Sequence, residues 1–309
     1  MSVAKLESGE SLRSSTVSSR EFVNTVRAFI TLTKPRIMVL LLFTGYCAMV
    51  VAKGGLPGFG VTVATMLGMA LSTGGAAALN MWYDRDIDAI MNRTKNRPIP
   101  SGRVQPMQAL LFGISLMVLS MVLVGFAVNW LTSVLGLVGF LYYVVFYTMW
   151  LKRRTTQNIV IGGGAGAFPP VIGWSAVTGH LALPAILMFL IIFLWTPPHF
   201  WALALYKHDD YKRANIPMMP VIQGEKSTKI QSLVYTLLLL LAAVSLYFTH
   251  TVGVIYLVTA IVLSGSFVVY AVLSLREKAP NFLWTKRTFK FSLVYLSVLF
   301  VVMVLNVHR

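Results

Sequence analysis

Apolar runs long enough to cross a bilayer recur along the chain, parted by short polar stretches. A run of about 18 or more apolar residues reads as a membrane-spanning helix. The pattern predicts nine spans, over residues 37–52, 58–80, 106–127, 130–150, 158–178, 183–206, 229–249, 252–275 and 290–307. Lipid offers no partner for a backbone polar group, so each span should be a helix. Before the first span, Phe22, Val26, Phe29 and Ile30 recur at helical spacing. That predicts an interfacial helix over 21–36. Residues 1–20 are rich in Ser and Glu and read as a disordered tail. They lack the apolar core of a signal peptide, and Glu7, Glu10 and Glu21 argue against a transit peptide.

Charge tests this layout. With the N-terminus cytoplasmic, every Lys and Arg except Lys53 and Arg309 falls on the cytoplasmic side, as do all ten Asp and Glu. A missed or invented span would scramble that partition. It also explains the net charge of +16. The basic excess faces an anionic leaflet, and nucleic acid need not be invoked. Only 12% of the 309 residues are charged, about half the share usual in a soluble domain. The lone Cys47 rules out an internal disulfide and a Cys-based metal site. Residues 37–309 therefore read as one nine-span domain. Its two long loops each follow a span ending in a polar cluster, which suggests repeats over 37–150 and 158–275 with a ninth span added.

The first cluster is NMWYDRDIDAIMNRTKNRPIPSG, residues 80–102. If the preceding helix continues, Asn80, Asp84 and Asp88 share one face and Asp86 points away. An amide and two carboxylates at a membrane edge suit Mg²⁺, which keeps waters and substrate phosphate oxygens. Arg93, Lys95 and Arg97 follow as candidate phosphate clamps. The competing reading is a charged loop with weak local ion pairs. The second cluster is Tyr206, Lys207, Asp209 and Asp210, where Tyr206 and Asp210 are four apart and would form an opposite pole. Lys152 and Arg153 in loop 4–5 are either topology signals or further diphosphate contacts, and Lys34 and Arg36 face the same choice. Inside the sixth span, Pro197 and Pro198 should break the helical ladder beside His199. An ionisable group at membrane depth is a functional candidate, here a porphyrin contact or a base. Gly162-Gly163-Gly164-Ala165-Gly166 has no following Lys-Ser/Thr, so it reads as close helix packing and not as a phosphate loop.

At Asn80-xxx-Asp84-xxx-Asp88 followed by RTKNRPIPSG, the chain resembles the UbiA superfamily of intramembrane prenyltransferases, over all nine spans. LTKPRI at 32–37, YTMWLKRRT at 147–155, NIVIGGGAGAFPPVIGW at 158–174 and PPHFWALALYKHDDY at 197–211 resemble its haem-modifying branch. The resemblance implies an all-α nine-helix bundle with a cytoplasmic-side active site in the cell inner (plasma) membrane. It implies transfer of farnesyl from farnesyl diphosphate to a vinyl group of haem B, with Mg²⁺ as cofactor. Asn80, Asp84, Asp88 and Asp210 would then hold metal. Arg93, Arg97 and Lys152 would hold diphosphate, joined by Lys95, Arg153, Lys207 and Asp209, while Tyr206 stands where the family's second motif usually has Asp. Haem A synthase and terminal-oxidase assembly factors are the protein partners such a role would bring. A quinone precursor or chlorin is the alternative acceptor. A secondary transporter is the alternative outside enzymes, although its ionisable groups belong near the midplane.

Overall fold

The computed structural model describes residues 21–308. The tail expected over 1–20 lies outside them. Helix α1 covers 21–32. It is followed by α2 (Pro35–Lys53), α3 (Phe59–Tyr83), α4 (Arg85–Ile90), α5 (Pro106–Ala127) and α6 (Trp130–Leu141), which continues as a π-helical segment, Tyr142–Leu151. Then come α7 (Asn158–Gly162), α8 (Gly164–Thr178), α9 (Leu183–Tyr206), α10 (His208–Arg213) and α11 (Met219–Ile222). Finally come α12 (Gly224–Ser245), α13 (Val254–Arg276) and α14 (Leu283–Leu305). Among the described residues nine helices are long and apolar enough to cross a membrane. Their outer faces stay apolar, as with Leu111, Val118, Val122 and Phe126 on α5. Such residues fit a hydrocarbon solvent.

The spans form a closed circuit. Each packs on its successor, from α3 through α5, α6, α8, α9, α12 and α13 to α14, and α2 touches α3, α8 and α14. Close crossings use small residues. A Cβ on Gly173 would lie 2.1 Å from the Gly45 carbonyl, so α2 and α8 meet backbone to backbone. Aromatic and aliphatic side chains of α9, α12, α13 and α14 fill the core of the second half, among them Met188, Tyr256, Phe267 and Tyr295.

Four expectations change. The first helix ends at residue 32, and Lys34 to Arg36 belong to a junction and the start of α2. The ninth span begins at Leu283 and not at 290. Its first turns hide Thr285, Thr288 and Ser292 while Lys286, Arg287 and Lys290 stay exposed, so a basic stretch is also a helix face. The seventh begins at Gly224, where Lys229 is buried through a 2.6 Å pair with Glu225. Helix α9 runs unbroken through Pro197 and Pro198. The prolines remove two backbone donors, and packed neighbours hold the helix regardless.

Candidate active site

Helix α3 stops at Tyr83, Asp84 occupies the junction at φ −84°, ψ 7°, and α4 restarts at Arg85. The row Asn80, Asp84, Asp88 therefore crosses a break and does not ride a single helix. Its order survives, because the Asp84 N–H donates to the Asn80 carbonyl at 3.0 Å and the Asp88 N–H to the Asp84 carbonyl at 2.8 Å. All three side chains are buried, Asp84 completely at 0% exposure. Helix α9 ends the same way: Tyr206 closes it, Lys207 makes the junction, and the six-residue α10 follows.

Cations from three other segments converge on the row. Asn80 Nδ2 donates to Asp84 at 2.8 Å and to Thr148 Oγ1 at 3.1 Å. Lys34 Nζ donates to Asn80 Oδ1 at 2.6 Å. Lys152 pairs with Asp84. Arg97 grips Asp88 with one nitrogen at 2.7 and 2.9 Å. Arg153 forks onto Asp86 at 2.7 Å twice, and its nearest nitrogen lies 3.7 Å from Asp84 Oδ1. That bond holds the exposed Asp86 carboxyl below the usual carboxylate range. Asp86 thus stands outside the row, as its register predicts.

Lys34 is a residue whose importance the sequence left undecided. It sits at φ 52°, ψ 58°, just before Pro35 at the start of α2. A residue preceding proline is kept from the right-handed helical region, and a left-handed non-glycine residue costs about 1–3 kcal/mol. The contact with Asn80 gives that conformation a use. Burial, then repulsion from Arg97 and Lys152, bring the Lys34 ammonium down to about 7, against the pull of Asp84 and Asp88. The Lys-Pro pair ahead of an apolar run was the available signal.

The π-helical segment explains how one stretch reaches so many partners. Its bonds run from i to i+5, so residues five apart line up. One row is Tyr143, Thr148 and Arg153, which reach Lys34, Asn80 and Asp86. The next row is Tyr142, Tyr147 and Lys152. Tyr147 leaves no room for a side chain on Gly162, where a Cβ would lie 2.0 Å from its ring. Tyr142 OH donates to the Ile161 carbonyl at 2.7 Å. Gly162 and Gly164 are thus the bed on which this segment lies, while Gly163 makes room for Thr196 of α9, and Lys152 ends the row at Asp84.

The second pole lies at the same end of the bundle. Asn92, in the loop after α4, approaches Asp210 Oδ1 at 3.5 Å. Beneath them Ile87 and Met91 share one apolar cluster with Trp201, Ala204 and Tyr211. Burial raises the Tyr211 phenol, and the nearby Arg93 opposes that shift. Asp210 also pairs with Arg213. Fewer of the candidate residues make side-chain contacts with these poles than the sequence suggested. Asp209 is 94% exposed and only touches His208. Lys207, Lys95 and Arg93 are exposed. Tyr206 faces α14, with Lys286 Nζ 5.9 Å above its ring. Among the described residues no three His, Cys, Asp or Glu side chains gather at one point. The donor set is an amide bonded to Lys34 and carboxylates that each pair with a Lys or Arg. Asp84 Oδ1 is buried with no hydrogen-bond partner. An orphaned carboxylate oxygen beside Asn80 and Asp88 fits a hard divalent cation.

The description "UbiA prenyltransferase family" fits residues 41–297. The chain is 57% identical over 284 residues to the protoheme IX farnesyltransferase of Symbiobacterium thermophilum, covering 92% of this chain and 95% of that one. It is 50% identical to the one from Erythrobacter litoralis, covering 90% and 91%. Among solved structures, a digeranylgeranylglyceryl phosphate synthase superimposes with a TM-score of 0.77 at 17% identity, over 91% of this chain and 98% of that chain. A UbiA homolog from Archaeoglobus fulgidus bound to GPP and Mg²⁺ follows at 0.62 and 16% identity, over 89% and 99%.

Proposed function

We propose a function for this chain on the premise that it belongs to the UbiA prenyltransferase family: it transfers the farnesyl group of farnesyl diphosphate to a vinyl group of haem B, with addition of water, giving haem O and diphosphate. What carries the choice of haem is the identity of 57% over nine-tenths of both chains to a protoheme IX farnesyltransferase. The buried row under converging cations supports the diphosphate half of the reading.

The chemistry splits into two events. The C1–O bond of farnesyl diphosphate breaks and the diphosphate keeps the electron pair. The vinyl terminus attacks C1, and water captures the resulting cation next to the pyrrole, losing a proton. Lys34, Lys152 and Arg97 are placed to receive phosphate oxygens. They already neutralise Asp84 and Asp88 and leave at most one positive charge over, so bound metal would balance most of the charge that a diphosphate brings. Asn80, Asp84 and Asp88 are the residues that would hold one Mg²⁺, and Asp210, from the other pole, would help to hold a second. When bound, the metal would supply Lewis-acid charge to the departing diphosphate. The apolar interior shields the allylic cation from bulk water. Residues 37–309 act as one domain in this reading, and the matched breaks before α4 and α10 support an internal repeat. The basic end faces the cytoplasm, in the cell inner membrane, with the N-terminus on that side.

Membranes carrying the protein, given farnesyl diphosphate with either haem B or 4-hydroxybenzoate, test the acceptor. Extracted pigments should contain haem O, and the benzoate should return unchanged. Prenylation of the benzoate alone would transfer this chain to the quinone branch.

A further inference from the structure

We infer that Ser292 holds His199 as the tautomer protonated on Nδ1, so that Nε2 is presented as the axial ligand to the iron of the porphyrin substrate. The inference rests on the haem reading above and assigns an atom to it.

His199 lies in α9 with 7% of its surface exposed. Its ring is sandwiched between Trp195, at 4.4 Å and 17°, and Phe289 of α14, at 4.7 Å and 24°. Phe200 closes one edge at 5.1 Å and 85°. The imidazole plane is therefore fixed. Nδ1 lies 2.6 Å from Ser292 Oγ. That hydroxyl has one proton, and it also lies 2.7 Å from the Phe289 carbonyl, which can only accept. With the proton donated to the carbonyl, Oγ accepts from the ring and Nδ1 carries the hydrogen. Trp195 Nε1 donates to the Ser292 carbonyl at 2.7 Å. Two side chains of α9 thus clip one residue of α14, and the clip leaves little freedom to rotate.

What remains is Nε2, a lone pair without a hydrogen-bond partner among the described residues. A histidine whose second nitrogen is tied to a polar group is the usual arrangement at a metal, because it fixes tautomer and orientation. Iron of a haem accepts imidazole. A role as proton acceptor would need the same lone pair, but would leave an imidazolium between aromatic rings with no carboxylate touching it. Ligation keeps the ring neutral. Phe289 also contacts the Tyr206 ring at 6.1 Å. His199 therefore lies on the face of α9 leading to Tyr206, about two helical turns inward from the polar end.

The test uses full-length protein in detergent, titrated with haem B and no farnesyl diphosphate. Absorption and resonance Raman spectra of the ferrous form should show an iron–imidazole bond. His199→Gly should lose it, and added imidazole should restore it. Ser292→Ala should shift the iron–imidazole stretch and weaken haem binding by about 10–100-fold, while Ser292→Thr stays near the wild type. Elution of each variant as wild type in size-exclusion chromatography controls for folding. An unchanged imidazole signature in His199→Gly, or in a folded Ser292→Ala with unchanged affinity, overturns the inference and leaves the substrate reading standing. No haem bound by the wild type overturns both.

Discussion

Asp84→Asn is expected to lower turnover by roughly 10³-fold, of the order lost when one preorganised contact to a developing charge is removed, here the contact made through the metal that Asp84 would hold. The substitution keeps shape and removes charge from the most enclosed carboxylate in the row. It also has a second effect. Lys152 is largely buried against Asp84, and breaking a buried pair from one side costs about 3–5 kcal/mol. A folding defect could therefore imitate a catalytic one. The double variant Asp84→Asn with Lys152→Met separates them. Removing the stranded ammonium should restore the thermal midpoint in detergent while turnover stays lost. Recovery of both together would make the pair structural and take Asp84 out of the chemistry. Activity of the single variant within about tenfold of wild type would do the same, since tenfold is only about 1.4 kcal/mol.

Removal of divalent metal should have an effect of similar size. Exhaustive treatment with EDTA is expected to lower turnover by about 10³-fold, several kcal/mol of charge stabilisation at the leaving group. Mg²⁺ added in excess should restore it. The cations of the chain give the alternative a physical basis: Lys34, Lys152 and Arg97 already converge on this corner. If they alone neutralised the leaving diphosphate, chelation would leave the rate intact.

The nine spans were legible because hydropathy and the sidedness of charge are both written locally. Lys34 with Asn80, Lys152 with Asp84 and Asn92 with Asp210 show that the loops carrying those charges share one end of the bundle. The start of α14 was not legible. Lys286, Arg287 and Lys290 look like loop until Thr285, Thr288 and Ser292 are seen to be buried on the opposite face. Hydroxyl residues carry little hydropathy signal, yet here they define the packed side. The site was legible as residue types and not as contacts. Asn80, Asp84 and Asp88 follow from spacing, whereas the break at Asp84 depends on tertiary packing. The π-helical register of Tyr142–Leu151 could not be read at all, and the glycines its tyrosines pack on lie about twenty residues onward. Asp209 and Asp210 are adjacent and chemically alike. Only the direction of α10 sends one into solvent and the other toward Asn92.

The central claim is that both acidic poles serve one diphosphate. Electron paramagnetic resonance of Mn²⁺, titrated into the full-length protein with an unreactive farnesyl thiodiphosphate, tests it most directly. Two bound Mn²⁺ with mutual coupling are expected, as for metals about 4 Å apart, reduced to one by Asp210→Asn. Two uncoupled ions, or a stoichiometry that Asp210→Asn leaves unchanged, would contradict it.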